Sequence, residues 1–435
     1  MTARQVRRSA SVVLVAAMLA STAACGLRAG STEESQPIGI FGPYRGSEAD
    51  AWIEVVHAYT EPRGIEVRYI GSKDFVADLE QRTGDADDPP DIAVVPQPGF
   101  VTELAESETI LPLGDAVVEQ LENNYPDAVI DLIGDETLFG VPFRLTMKSL
   151  VWYRPEVFET NGWSVPATMD ELADLVADID GTADINPWCL GMEAGTSSGW
   201  PATDWTEDLV VRNLGTTIYN RWAAGEVEFA DPRIEESFDD FRELVLQGTR
   251  SVGGLTGVVE TAIDEAVEPL FADDDGCALY KQADFAVQWM PDGVKIGPDA
   301  DVDWFVMPPV NADTVAPIVV GGDQIVQFTS SDEIDGLMTY LAGPDAGSSW
   351  AAAGGFISPK STISSATYAD ATDAEITALI QQDPPLVFDA SDQMPVAVGS
   401  GLLRSEITSW VSTTTDYEVF AATVDAALAD ALDVP

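Results

Sequence analysis

The sequence predicts an α/β fold with a parallel sheet under covering helices. Three observations carry that reading. Short apolar strands alternate with helically spaced segments from residue 38 onward, the pattern of a wound sheet. The chain has 435 residues, enough for two or three lobes with cores of their own. Its hydrophobic fraction of 46% and aromatic fraction of 9% are those of an ordinary soluble protein.

The elements follow in order. Arg4, Arg7 and Arg8 precede an apolar run from Val12 to Ala20, and small residues lead to Cys25. A basic start, a short apolar core and a small-residue exit make an export signal, here residues 1–24. The run is too short to span a bilayer. Ending Thr22-Ala23-Ala24-Cys25, the segment resembles the lipobox of bacterial lipoproteins, although Thr22 stands where leucine is usual. That resemblance implies lipidation of Cys25; an ordinary secretory signal with an incidental cysteine is the alternative. Residues 25–37 hold no apolar periodicity and read as a tether. Ile38 to Phe41 is the first strand. Glu48 to Tyr59 has helical spacing through Trp52, Val55, Val56 and Tyr59, broken by Pro62 and Gly64. Glu66 to Ile70 alternates as a strand, Phe75 to Arg82 is helical, Gly84 to Pro90 turns, and Ile92 to Val95 is a strand. After Pro166, Thr168 and Glu171 form a capping box ahead of Leu172 to Ile179. Ile318 to Phe328 alternates as a strand and Ile334 to Leu341 follows as a helix. No internal repeat is present, and no second apolar run reaches spanning length.

Lys and Arg number 21 against 74 Asp and Glu, a net charge of −53. Such a field repels phosphate backbones and excludes nucleic acid as a partner. The acid is spread along the chain, as on a solvated surface suited to salty or acidic surroundings. If Cys25 carries lipid, Cys189 and Cys277 remain as a pair. In an exported protein a disulfide is the default and two separate buried thiols the alternative.

Most catalytic signatures fail. Gly195-Thr196-Ser197-Ser198-Gly199 fits the spacing of a nucleophile elbow, but the base must follow the serine and His57 is the single histidine, far upstream. His57 reads as a surface residue. Zinc lacks ligands. Asp299, Asp301 and Asp303 start like a calcium loop, but Trp304 and Val310 occupy its glycine and glutamate positions. Asp273-Asp274-Asp275-Gly276 reads as a solvated turn. No phosphate-cradling loop appears. The expectation is no cofactor, no metal and no catalytic residue.

What remains is aromatic. Trp188, Trp200, Trp205, Trp222 and Trp289 sit among Gly, Pro, Asp and Arg rather than in helical apolar stripes. Flat indoles suit the apolar faces of sugar rings, and neighbouring charged groups can satisfy the hydroxyls. Core packing is the ordinary role of any one of them.

Several stretches together resemble the extracellular solute-binding proteins of ABC sugar importers. Pro89 to Gly99 resembles the end of their third strand. Phe139 to Arg144 and Lys148 to Pro155 resemble the first hinge crossing. Gly199 to Asp208, Gly321 to Asp323 and Phe388 to Pro395 resemble the α-glucoside-binding branch, akin to maltose-binding proteins. The resemblance implies a two-lobed periplasmic-binding-protein-like fold of class II, with discontinuous lobes around a ligand cleft. Lobe one would be residues 38–147 plus 320–358, and lobe two residues 148–319 plus 359–435. It implies ligand contacts at Trp200, Asp204, Trp205, Trp289, Gly322, Asp323, Gln97, Arg144 and Lys148, with Cys189 and Cys277 bracing lobe two. Leu402 and Leu403 follow Gly401 where relatives often carry aromatics, which leaves ligand length open.

The implied function is a non-enzymatic, lipid-anchored receptor on the extracytoplasmic face of the membrane. It would capture a small carbohydrate such as an α-glucoside and dock, as a monomer, on ABC permease subunits. A secreted glycosidase and an importer receptor for a non-sugar solute are the alternatives. The charge alone yields one expected outcome: self-repulsion weakens with screening, so the melting temperature rises between 0.1 and 1 M salt. A salt-independent melting curve would contradict it.

Overall fold

Among the described residues ten short, mostly apolar runs form strands, and their pairing decides the architecture. In chain order they are β1 (Ile38–Gly42), β2 (Val67–Gly71), β3 (Ile92–Val95), β4 (Gly140–Met147), β5 (Leu150–Tyr153), β6 (Ile185–Cys189), β7 (Gly276–Lys281), β8 (Asp303–Val306), β9 (Ile318–Gln327) and β10 (Leu386–Phe388). The computed structural model describes residues 36–84, 88–134, 137–182, 185–272, 276–413 and 415–432. The chain divides into residues 1–36 and a second unit from Pro37 to Pro435. The export signal, Cys25 and the tether up to residue 35 lie outside the described residues, as do Asp273 to Asp275.

Two sheets result. The first has the order β10-β9-β3-β1-β2, with β4 also paired to β9. The second runs β6-β7-β5-β8. The predicted strands and helices between residues 38 and 95 form as read, with β1 parallel to both β2 and β3, while residues 85–87 of the turn expected at Gly84 to Pro90 lie outside the described residues. Neither sheet is purely parallel, however. β9 runs antiparallel to β3 and β4, and β5 antiparallel to β7 and β8. The parallel-sheet expectation is therefore corrected to two mixed sheets. Local spacing shows that a strand exists, whereas its direction is set by where the chain returns from, and β9 returns from β8 of the second sheet.

Helices cover the faces for ordinary amphipathic reasons. The Ser47–Thr60 helix buries Trp52, Val55 and Val56. The Met169–Asp180 helix buries Leu172, Leu175, Val176 and Ile179. Its Thr168 Oγ1 accepts from Glu171 N at 3.2 Å, while Glu171 reaches back one residue further than a capping box does, to Ala167 N at 2.7 Å. Gly199 opens the Trp200–Ala223 helix with φ +105°, and a Cβ there would collide with the Arg404 carbonyl. Only glycine allows this close approach.

The segment 359–388, expected in lobe two, packs beside first-sheet elements. Lys360 Nζ donates to Leu341 O at 2.8 Å and Ala346 O at 2.7 Å. Ser361 N donates to Asn124 O at 2.8 Å. Asp383 Oδ1 accepts from Ala128 N at 2.9 Å, and β10 lies parallel to the start of β9. Because these bonds join residues far apart in sequence, no local pattern announces them.

Cys189 and Cys277 form a disulfide across the paired strands β6 and β7, with Cα atoms 5.4 Å apart and a sequence separation of 88. Replacing both by serine is expected to cost about 2–5 kcal/mol, the range for a bridge closing a long loop. Urea titration of the double variant checks it.

Candidate ligand-binding cleft

The site is built on the antiparallel pair β4 and β9. A bulge between Pro142 and Arg144 shifts their register. After it Arg144 stands opposite Asp323, Leu145 opposite Gly322, and Thr146 opposite Gly321. Arg144, Thr146 and Lys148 then share one face at the two-residue period of a strand, and each is only partly buried while Leu145 and Met147 between them are buried. Gly321 keeps the middle of this floor low; a Cβ there would stand 3.2 Å from Lys148 Cε. A Cβ at Gly322 would come within 2.6 Å of Arg144 O, so glycine is required by the pairing itself.

Each end of the floor is fixed by ions. At one end Arg144 Nε donates to Asp323 Oδ2 at 2.9 Å and Nη1 to Glu48 Oε1 at 2.7 Å. Tyr44 Oη donates to the same Asp323 oxygen at 2.7 Å. Asp323 is 5% exposed, and the guanidinium lies over the Tyr44 and Trp350 rings at 4.9 and 5.3 Å. At the other end Lys148 Nζ meets Asp389, Asp204 at 3.2 Å and Asp392 at 3.8 Å. Burial disfavours the ammonium, but the surrounding carboxylates outweigh it and hold its pKa well above the ordinary value. Burial pushes Asp204 up to about 7 although Lys148 pulls the other way.

The Trp200–Ala223 helix supplies a second buried network from the same face. Asp208 pairs with Arg212 and, at 2.8 Å, with Lys281. Ser149 Oγ donates to Asp208 Oδ1 at 2.7 Å. Glu207 accepts the backbone N–H groups of Ala390 and Ser391 at 2.9 and 3.1 Å. The helix thereby ties itself to β7, to the crossing after β4, and to the segment after β10.

Beside the Arg144 end opens a cavity of about 490 Å³, within the range of small-molecule sites. Arg144, Thr146 and Glu48 line one side, Asp284, Phe285 and Trp289 another, and Gly354, Gly355, Asp370 and Asp373 a third. Trp200, Phe285 and Trp289 form a run of rings, with centroids 6.0 and 5.2 Å apart. Asp284 Oδ1 accepts from Met147 N at 2.6 Å, and Asp373 Oδ2 accepts from Gly355 N at 2.8 Å. Burial pushes Asp284 up to about 7 and Asp373 to about 6.

The expected site residues thus separate into groups. Arg144 and Trp289 line the cavity, with Asp323 directly behind Arg144. Trp200 joins Trp289 through Phe285. Lys148 and Asp204 form the ionic node at the far end of the floor, and Gln97 begins the Pro98–Glu106 helix. The structure does not bring Trp205 together with the other two tryptophans. It is 1% exposed, packed edge-on to Trp188 with centroids 4.7 Å apart, and lies below Lys281 at 5.3 Å. Its place on the helix turns it inward, behind Asp204. Of the residues that sequence reasoning missed, Asp284 and Phe285 lie just before Trp289 and were within reach of that signal. Glu48, Asp370 and Asp373 come from distant segments and carried none.

Comparison with known proteins agrees with this architecture. The sequence pattern of bacterial extracellular solute-binding proteins matches residues 45–348, and the chain belongs to that family. It is 32% identical over 400 residues to the osmoprotective compounds-binding protein GgtB of Synechocystis sp., covering 92% of this chain and 94% of that one. It is 31% identical over 399 residues to the alpha-glucosides-binding periplasmic protein AglE of Rhizobium meliloti, covering 89% and 86%. The solved structure of the bacterial solute receptor AcbH superposes with a TM-score of 0.72 at 17% identity, over 91% of this chain and 96% of that one. The fold is the two-lobed α/β architecture of periplasmic binding proteins. Among the described residues no helix is long and apolar enough to cross a membrane.

Two expected outcomes follow from the ionic floor. Lys148→Met leaves buried carboxylates without their cation and should cost about 3–5 kcal/mol, read by urea titration. Asp284 binds a proton in the folded state up to about pH 7, whereas an unfolded aspartate releases it near 3.9. Its contribution to stability is therefore present at low pH and falls as pH rises from about 4 to 7. Asp284→Asn, which keeps the acceptor for Met147 N, should lose less stability than the parent between pH 4.5 and 7.5.

Proposed function

We propose that this chain is a non-enzymatic receptor that captures a small carbohydrate, an α-glucoside or similar oligosaccharide, for an ABC-type importer. The observation that carries the reading is the cavity beside Arg144. It sets the half-buried rings of Phe285 and Trp289 among Arg144, Asp284 and Asp373. Indole and phenyl faces cover the apolar face of a sugar, while the polar groups satisfy hydroxyls removed from water. The relative named for binding alpha-glucosides supports the same ligand class.

In this reading Trp289 is the stacking residue, Arg144 and Asp323 form a preset polar wall, and Trp200 backs Phe285. Lys148, Asp204 and Gln97 act at the far end of the floor, and Gly321 and Gly322 leave it accessible. The lobes close about the β4 and β9 crossings when ligand bridges them, and the closed monomer docks on the permease subunits. The basic start, apolar run and Cys25 support attachment to the extracytoplasmic face of the membrane, where two or more acyl chains hold a protein stably.

Calorimetry against maltose, trehalose and sucrose tests the reading. At least one should bind and be recovered chemically intact; binding of none, or turnover of any, overturns it. Trp289→Ala should weaken that binding by about 1–3 kcal/mol, as for a buried anchor aromatic, with little change in stability. Trp205→Ala should instead lower stability by about 3–5 kcal/mol, read by urea titration.

A further inference from the structure

The wall of the cavity facing Arg144 is acidic in an unusual way. Arg144 is the one cation lining it among the described residues, and its guanidinium is already shared between Glu48 and Asp323. Asp284, Asp370 and Asp373 line the same cavity and appear in no ion pair of the described residues. Each is held by backbone N–H groups instead. Asp284 takes Met147 N at 2.6 Å. Asp373 takes Gly355 N at 2.8 Å and Phe356 N at 3.4 Å. Asp370 takes Thr372 N and Asp373 N at 2.7 and 3.3 Å.

We propose that Asp284 and Asp373 are the specificity-determining pair of the cleft, reading hydroxyl donors of an uncharged glycoside and excluding sugars that carry phosphate or carboxylate. This deepens the carbohydrate reading and rests on it. The geometry supplies the reason. The backbone bonds engage Asp284 through Oδ1 and Asp373 through Oδ2, and both side chains face the space that Phe285 and Trp289 border. A hydroxyl can donate to a carboxylate oxygen held this way, whereas an anionic oxygen has nothing to donate and meets like charge at short range. Arg144 gives little relief, because its charge is already shared between Glu48 and Asp323.

The protonation behaviour is consistent with that placement. Burial raises both groups, and each lies near other charges: Asp373 raises Asp284 further while Arg144 and the Met147 N–H lower it, and Asp370 raises Asp373 while the Gly355 N–H lowers it. Asp373 therefore ionises around pH 6 and Asp284 around pH 7, both later than an ordinary aspartate. Between pH 6 and 8 the pair gains negative charge, and the rejection of anions sharpens.

The test takes whichever disaccharide of the maltose, trehalose and sucrose panel the unaltered chain binds, and compares it with its 6-phosphate by calorimetry at pH 6 and 8. The unaltered chain should prefer the neutral sugar at least 100-fold, more strongly at pH 8. Asp284→Asn and Asp373→Asn, each keeping an amide oxygen for the backbone bonds, should lower that preference at least fivefold while remaining folded at both pH values. Equal affinity for both sugars in the unaltered chain, or an unchanged preference in both variants, overturns the inference while leaving the carbohydrate reading intact. Failure of the unaltered chain to bind any saccharide overturns both. An asparagine variant that melts early is replaced by Asp370→Asn, which sits on the same wall and should shift the preference in the same direction; no shift counts against the inference.

Discussion

The structure depends on one constraint: the antiparallel pairing of β4 with β9 must continue into the crossing between lobes while leaving an open face for a ligand. Backbone pairing at a crossing would normally carry large side chains on both faces. Here Gly321 and Gly322 remove them from one strand, and the bulge beside Phe143 brings Arg144 into register with Asp323. The remaining long side chains on that face, Arg144 and Lys148, are each fixed by carboxylates from other segments.

Those two ionic nodes differ in what they join. The Arg144 node gathers Glu48 from the first helix, Asp323 from β9 and the Tyr44 hydroxyl, all on the first sheet's side. The Lys148 node gathers Asp204 from the long helix of the second lobe and Asp389 and Asp392 from the segment after β10. Buried pairs of this kind contribute little net stability compared with apolar packing, because desolvation offsets attraction. They do fix geometry, since a buried charge has few alternative partners. A cleft whose floor is set before ligand arrives loses less entropy on binding.

The Trp200–Ala223 helix shows how one sequence feature serves several ends. Asp204, Asp208 and Arg212 recur every four residues and so share a face, which turns toward β7 and the crossing. Trp205, one residue round the helix, is thereby placed in the core against Trp188 and Phe241. An aromatic next to an acid looks like a sugar-binding motif in one dimension. On the folded helix the two residues serve different structures.

Much of the fold was legible in sequence because it is local. Strand alternation gave β1, β2, β3 and β9, amphipathic spacing gave their helices, and Thr168 with Glu171 marked a helix start. The resemblance put a hinge crossing at Phe139 to Arg144 and Lys148 to Pro155, and two of the contacts it implies, Arg144 and Trp289, line one cavity. Sequence by itself determined several strands and helices and the acidic surface, because these follow from side-chain period and composition, and it showed the family through the resemblance of whole segments. Only the tertiary structure decided that the sheets are mixed, that 359–388 packs with the first sheet, that Trp205 turns inward, and that Glu48, Asp284 and Asp373 share one cavity. These depend on contacts across tens to hundreds of residues, and no periodicity within a segment records which distant segment it will meet.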